Sequence, residues 1–176
     1  MSARRALVIA LVLAGIIHIL GVLAIPARVT HGAYQRVLAA TGADRITLMP
    51  RVKPPLPDLD PAFVHALCRY DVTTRPLSLA GPMPATAWFV TIVDDRNREA
   101  GSFGSGSVAG SALSLLLGSP AMIEERRNLE AVAAADRVAI AVERPAGFVL
   151  IGVFAEDDAA RAPLEAALAA LACGPA

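Results

Sequence analysis

The sequence has few of the residues that build metal centres and redox sites. Its 176 residues include two cysteines, Cys68 and Cys173, and three histidines. Two cysteines are too few for a four-thiolate metal cage, and no C-x-x-C pair is present for thiol exchange. His65 and Cys68 have a spacing at which both side chains of a helix can contact one metal ion, but His18 and His31 lie in or beside an apolar run. We therefore predict no metal site and no cofactor.

Signatures of catalysis and of nucleic-acid binding are also absent. The sequence contains no G-x-S-x-G, H-E-x-x-H, P-loop or G-x-G-x-x-G motif. His65 is the one histidine that a soluble domain could use as a base, which disfavours Ser-His and Cys-His catalysis. The 16 basic residues are balanced by 16 acidic residues, so no excess of positive charge attracts nucleic acid. The sequence identifies no catalytic residue and gives no support for a nucleic-acid partner.

One long run without a formal charge lies near the N-terminus, from Ala6 to Ile25. At about 1.5 Å per residue, a helix of this length crosses the roughly 30 Å hydrocarbon core. Ile25 and Ala27 do not provide the pair of small residues that a cleavable signal requires, so we predict a retained signal anchor. Arg4 and Arg5 precede the run and favour a cytoplasmic N-terminus. The expected protein is a single-pass inner-membrane protein with a cytoplasmic tail (1–5), a transmembrane helix in contact with lipid (6–25) and a periplasmic C-terminal part.

The exported part divides into three segments. Apolar residues recur at helical spacing from Val29 to Ala40, which predicts a juxtamembrane helix (26–42) that either lies on headgroups or docks on the domain. Five prolines between Pro50 and Pro61 forbid a helix and favour an extended run, so we expect a stiff connector (43–61). The remaining segment (62–176) is long enough to fold as one soluble domain.

Residue patterns in the domain predict an α+β fold. Asp60 before Pro61 has the form of a helix N-cap, which predicts a short helix from Pro61 to about Leu67. Apolar alternation predicts strands over 77–80, 87–93, 98–103, 113–117, 138–142 and 148–154. Helices are predicted over 120–129 and along Leu164, Leu168 and Leu171, the second ending at Cys173. Strands at hairpin spacing with a few helices indicate an antiparallel β-sheet covered by helices.

The two cysteines leave two interpretations open. Cys68 and Cys173 either form a disulfide or remain two separate buried thiols. A disulfide is stable only in an oxidising compartment, which the predicted periplasmic location supplies. The sequence favours the disulfide, which would tie the last helix to the sheet.

A polar triplet follows Cys68 directly. If this segment forms a strand, Arg69 and Asp71 share one face and Tyr70 points to the other. Arg69, Asp71 and Trp88 are our candidate binding residues for a small envelope molecule. The alternative is an ion pair at a sheet edge beside a packed tyrosine.

Several of these segments resemble a bacterial envelope family, domain of unknown function 1254, in a short membrane-anchored form. The resemblance is carried by the N-terminal apolar helix and by the segments Cys68-Arg69-Tyr70-Asp71, Pro76-Leu77, Trp88-Phe89-Val90 and Asp94-Asp95-Arg96. The sequence departs from the family after the hairpin turn, where Gly and Ser replace Tyr and Asn. The resemblance implies no defined activity; it implies a small integral membrane protein whose gene often neighbours that of a larger relative.

These observations lead to an ordered set of functional expectations. The first is a non-catalytic interaction or accessory protein whose anchored domain binds an envelope protein. The second is a binding module for a small envelope molecule, which requires a well-formed cavity. An enzyme is the least favoured, because it would need titratable groups that converge in such a cavity.

Overall fold

The computed structural model describes residues 3–107, 111–129 and 137–176. Its elements run in the order α1 (Ala3–Ala40), β1 (Ile46–Leu48), β2 (Phe63–Asp71), β3 (Leu77–Pro82), β4 (Trp88–Asp94), β5 (Glu99–Gly104), β6 (Ala112–Gly118), α2 (Pro120–Leu129), β7 (Val138–Ala141), β8 (Ala146–Phe154), α3 (Arg161–Ala169) and β9 (Ala172–Pro175). The predicted α+β class, with an apolar helix at the N-terminus, is confirmed.

Helix α1 is one unbroken helix that covers both the predicted span and the juxtamembrane segment. Its first part, Ala3–Ala24, is long and apolar enough to cross a membrane, and none of it is buried in the protein. Near its C-terminal end, Val37 is completely buried against the domain. The juxtamembrane part of α1 therefore docks on the domain.

The strands form two sheets. The first is an antiparallel sheet in the order β1-β2-β8-β4-β5, and the second is a four-stranded sheet in the order β7-β6-β3-β9. In the second sheet β6 and β7 run parallel, while the other pairs are antiparallel. The sequence indicated one sheet, because strand periodicity does not reveal which strands pair.

Both sheets contribute to one main hydrophobic core. Alternate residues of β2, β4 and β8 in the first sheet meet alternate residues of β3 and β6 in the second; they include Ala66, Val90, Ile151, Leu79 and Leu115. The opposite face of the first sheet packs a second cluster, with Leu67, Phe148 and Leu150 around Val37. The central strands of the first sheet are thus buried on both faces, which explains their almost continuous apolar sequences.

The helix predicted from Pro61 to Leu67 is wrong, because this segment opens strand β2. Asp60 does accept a hydrogen bond from a backbone amide, as an N-cap would, but the donor is Ala62 N at 2.8 Å. A carboxylate that bonds two residues ahead forms an Asx turn, which here leads the chain into a strand. A short apolar run that is buried on both faces cannot be distinguished from a buried helix by periodicity alone.

The end of the chain also differs from the prediction. Helix α3 ends at Ala169, and Cys173 lies in strand β9, where it pairs with Leu79 of β3. Pro175 is compatible with this strand because β9 is at the edge of its sheet, where a missing amide donor removes no ladder bond.

The proline-rich segment (50–61) contains no helix or strand, but it packs on the domain. Leu56 and Leu59 contact the second hydrophobic cluster, and the Nε atom of Arg36 donates a hydrogen bond to Pro55 O at 2.8 Å. Just before it, β1 pairs with β2. The segment predicted as a connector is therefore a layer over the outer face of the first sheet.

Candidate functional site

Arg69 and Asp71 lie on the same face of β2, and Tyr70 points into the main core. The Nη1 atom of Arg69 donates to Thr41 O at 3.3 Å. Asp71 is exposed and accepts hydrogen bonds from Thr73 N at 3.0 Å and Thr73 Oγ1 at 2.5 Å. These bonds hold the pKa of Asp71 below its ordinary value. Both polar side chains are thus occupied by the local backbone and turn.

Trp88 is not brought together with these two residues. It is buried in the main core, on the opposite face of the first sheet, with its ring edge-on to Phe103 at 6.3 Å. It also lies at the other end of the sheet, since Trp88 pairs with Val153 of β8 whereas Asp71 pairs with Ala146. Arg69, Asp71 and Trp88 therefore do not line a common pocket.

Cys68 and Cys173 are joined by a disulfide with a Cα–Cα distance of 6.5 Å. The bond links β2 to β9 and so connects the two sheets across the main core, rather than tying a helix to a sheet. Because β2 is a strand, His65 and Cys68 point to opposite faces and cannot share a metal ion. Among the described residues, no group of three His, Cys, Asp or Glu side chains could hold a metal ion.

A polar cluster lies at the β4–β5 turn. Buried Asp94 accepts hydrogen bonds from the backbone amides of Arg96 and Arg98, both at 2.8 Å, and pairs with the Arg98 side chain at 3.0 Å. Asp95 makes a two-point ion pair with Arg144, and this bonding lowers the pKa of Asp95. These groups satisfy one another, so the cluster fixes the hairpin.

The proline-rich segment encloses a cavity of about 320 Å³ with β2 and α3, called here the first cavity. Its apolar wall consists of Met49, Leu56, Leu59, Phe63, Val64 and the prolines Pro50, Pro54, Pro57 and Pro61. Its polar lining consists of Arg51, Asp60, His65, Arg161 and Glu165. A volume in this range, with apolar walls and a few convergent polar groups, is typical of a small-molecule site.

Two polar groups of the first cavity are held in place by the surrounding protein. The guanidinium of Arg161 donates to the carbonyl oxygens of Pro61 and Phe63 and pairs with Asp158. His65 is buried on β2, with its ring 6.2 Å from that of Phe89. Burial lowers the pKa of His65 below its ordinary value of 6.5; Asp60 opposes this effect and Arg161 adds to it. At neutral pH the site therefore presents a neutral imidazole next to a fixed cation.

The lining favours binding over covalent chemistry. A neutral imidazole, a guanidinium and carboxylates can donate and accept hydrogen bonds to a polar ligand. In the described part of the chain, the residues that line the first cavity include no serine, threonine or cysteine, and both cysteines are in the disulfide. The cavity thus lacks a hydroxyl or thiol nucleophile of the Ser, Thr or Cys kind.

The lowered pKa of His65 predicts a pH dependence of stability. The unfolded chain binds a proton near pH 6.5, whereas the folded chain binds it at lower pH, so acid favours unfolding. We expect the free energy of unfolding to fall as the pH drops below about 6.5, and His65→Leu to remove this part of the fall. Thermal unfolding of both proteins between about pH 8 and pH 5.5 tests this window. Parallel profiles would contradict it.

The fold is similar to two solved structures. One is the VPA0106 protein from Vibrio parahaemolyticus, with a TM-score of 0.58 and 12% sequence identity; the match covers 85% of this chain and 37% of that chain. The other is an uncharacterised protein from Burkholderia cenocepacia, with a TM-score of 0.53 and 10% identity, covering 86% of this chain and 40% of that one. This chain thus spans about two fifths of the length of the proteins it matches.

No protein-family model and no curated protein matches the chain. The two structural similarities show the fold alone, because both identities are far below the level at which function transfers. The resemblance to the domain of unknown function 1254 family remains a prediction.

Sequence reasoning did not find the first cavity. It singled out His65 as the only usable base and noted Asp60 as a helix cap, but it assigned Arg161 and Glu165 no role. These residues are about a hundred positions apart in the chain, and only the packing of α3 beside β2 brings them together. The one available signal was the proline-rich segment, whose fixed extended backbone can serve as a cavity wall as well as a spacer.

Proposed function

We propose that this chain is a single-pass inner-membrane protein whose periplasmic domain binds a small molecule in the first cavity without reacting with it. The observation that carries the proposal is the cavity itself: about 320 Å³ of space with apolar walls, one neutral imidazole and one anchored guanidinium. This is the combination of shape and chemistry that small-molecule sites require.

Two features of the chain support the proposed location. Arg4 and Arg5 precede an apolar helix long enough to span a bilayer, and cations there favour the cytoplasmic side. The Cys68–Cys173 disulfide needs an oxidising compartment. Acid precipitation of intact cells, followed by alkylation of the denatured chain without reductant, tests the location. Unmodified cysteines are expected, and full alkylation of both would exclude a periplasmic domain.

The binding role is tested by identifying what the protein retains. The full chain is purified in a mild detergent, and small molecules released by denaturation are identified by mass spectrometry. We expect His65→Leu and Glu165→Gln each to reduce the retained amount about tenfold, since a hydrogen bond to a charged or buried group contributes about 1.5 kcal/mol or more.

The matched control is Arg69→Gln. Arg69 lies on the same face of β2 as His65 but outside the lining of the first cavity. Retention equal to that of the unmodified chain is expected. If Arg69→Gln abolishes retention while His65→Leu does not, the site lies at the residues that the sequence indicated. If the unmodified chain retains no small molecule, the binding role is wrong.

Binding of an envelope protein is the second candidate. The observation that favours it is that both similar structures are chains more than twice as long as the region that matches, so in those proteins this fold is joined to further protein. Mild cross-linking in intact cells, followed by purification through a C-terminal tag, would test it. A stoichiometric partner that disappears when residues 43–176 are deleted would support this role, and recovery of the protein alone would count against it.

A further inference from the structure

A second cavity lies on the other side of the proline-rich segment and has different chemistry. Its volume is about 420 Å³, and it is an open cavity bordered by the end of α1, strand β1 and the segment itself. It shares Met49, Pro50 and Pro54 with the first cavity, but none of the polar residues. Any ligand of the second cavity is therefore selected independently of the first.

The charged lining of the second cavity is entirely positive. Arg36 and Lys53 line it, and its lining in the described ranges contains no carboxylate. Within those ranges, neither cation forms an ion pair with an acidic side chain. The first cavity, in contrast, contains Asp60 and Glu165. Two cations without a protein counter-charge favour an anionic group.

Arg36 is held at the cavity by a backbone carbonyl, and Lys53 lies at a strained position of the proline-rich segment. The Nε atom of Arg36 donates to Pro55 O at 2.8 Å, which fixes the guanidinium at the contact between α1 and the segment. Lys53 adopts a positive φ of 55°, a conformation that is unfavourable for a residue other than glycine and that recurs at ligand sites.

The rest of the lining is mainly apolar. It consists of Ala39, Ala40, Leu48, Met49, Leu67 and three prolines, together with Thr41 and Thr47. An inorganic anion would leave this surface without a partner, whereas a molecule with an anionic head and a short apolar chain would satisfy both parts of the lining.

The position of the cavity restricts where such a molecule comes from. Arg36 is twelve residues beyond Ala24, the end of the candidate span, so the cavity stands about 18 Å beyond it along α1. The headgroup layer extends only about 5–8 Å beyond the hydrocarbon on each side. A lipid that remains in the bilayer does not reach this height.

We propose that the second cavity binds a monomeric amphiphile with a single anionic head, a carboxylate or a phosphate monoester, whose head contacts Arg36 and Lys53 and whose chain contacts Leu48 and Met49. The bound molecule is one that has left the bilayer.

The test is calorimetric titration of the full chain in phosphatidylcholine nanodiscs, with empty nanodiscs subtracted. The probes are hexyl phosphate, inorganic phosphate and hexanol, which present head and chain, head alone and chain alone. We expect hexyl phosphate to bind at least tenfold more tightly than the other two probes. Equal affinity for inorganic phosphate would overturn the amphiphile assignment. The absence of a binding heat for hexyl phosphate would also overturn it.

The variants separate this cavity from the first. Lys53→Gln is expected to raise the Kd for hexyl phosphate about tenfold, and Lys53→Arg to restore it, because a charge-assisted contact is lost and regained. Arg51→Gln removes a cation two residues away that lines only the first cavity, and no change is expected. An unchanged Kd in Lys53→Gln would overturn the proposal. Loss of binding in nanodiscs that contain phosphatidylglycerol would instead identify a bilayer lipid as the occupant and also overturn it.

Discussion

Cys173→Ser is expected to lower the free energy of unfolding of the domain by about 4–5 kcal/mol when the unmodified protein is oxidised. The disulfide closes a loop of 105 residues, and the chain-entropy model assigns such a loop a large restriction of the unfolded state. Cys173 is preferred to Cys68 for this test because Cys68 is fully buried. A serine hydroxyl there would add a second cost of its own.

The measurement uses the single tryptophan of the chain. Trp88 is buried in the main core, so its fluorescence follows unfolding of the domain rather than of the apolar part of α1. Unfolding by denaturant is recorded for the full chain in detergent, with and without reductant. The unmodified protein should lose stability on reduction, whereas the stability of Cys173→Ser should be the same with and without reductant. If the free energies of unfolding of the two proteins differ by the same amount with and without reductant, the loss comes from packing at Cys173 and not from the disulfide.

Gly147→Ala is expected to destabilise the domain by about 3 kcal/mol or more. Gly147 lies in β8 between β2 and β4, where it pairs with Tyr70 on one side and Asp94 on the other. A methyl group at this position would overlap the carbonyl oxygen of Val93 and the hydroxyl of Tyr70. The Val93 carbonyl is part of the sheet backbone and cannot move without breaking the ladder.

The control for this substitution is Gly174→Ala in edge strand β9, where an added methyl group meets open space. Its unfolding free energy should stay within about 0.5 kcal/mol of the parent value. Tyr70→Phe combined with Gly147→Ala removes only the overlap with the hydroxyl and leaves the overlaps with ring carbon Cζ and with the Val93 carbonyl oxygen. Tyr70 Oη is buried and has no hydrogen-bond partner in the part of the chain described, so its removal alone costs little. The double variant should therefore remain unstable, and full recovery would show that the carbonyl overlap is not the cause.

Much of the domain could be predicted from local pattern. The alternation of Trp88, Val90 and Ile92 with less buried residues is that of a strand with one face in the core, and β4 has this form. Helix α2 begins at Pro120, where the preceding Ser119 hydroxyl accepts from Met122 N at 3.3 Å, as its sequence indicated. These elements are determined by residues close to one another in the chain.

The errors occurred where distant contacts decide the outcome. The Asp60-Pro61 pair predicts a short helix where β2 begins, because a cap signal is local; packing of α1 over one face of the sheet makes the same segment a strand that is buried on both faces. Cys173 lies in a strand because Leu79 of β3 offers it a pairing partner. The first and second cavities depend on the same kind of information, since neither exists until the proline-rich segment folds back over β2. The prolines indicate an extended backbone, but they do not indicate that the segment returns over β2.

Because α1 is one unbroken helix, the number of residues between its apolar stretch and the domain fixes an angle as well as a distance. Each residue of an α-helix turns the chain by about 100° as well as lengthening it. Because the helix runs without interruption from the apolar stretch to buried Val37, one inserted residue in the proposed membrane topology would swing the whole domain by that angle around the axis of α1. In that topology, the number of residues between the apolar stretch and Val37 sets the direction in which the domain faces around the axis of α1.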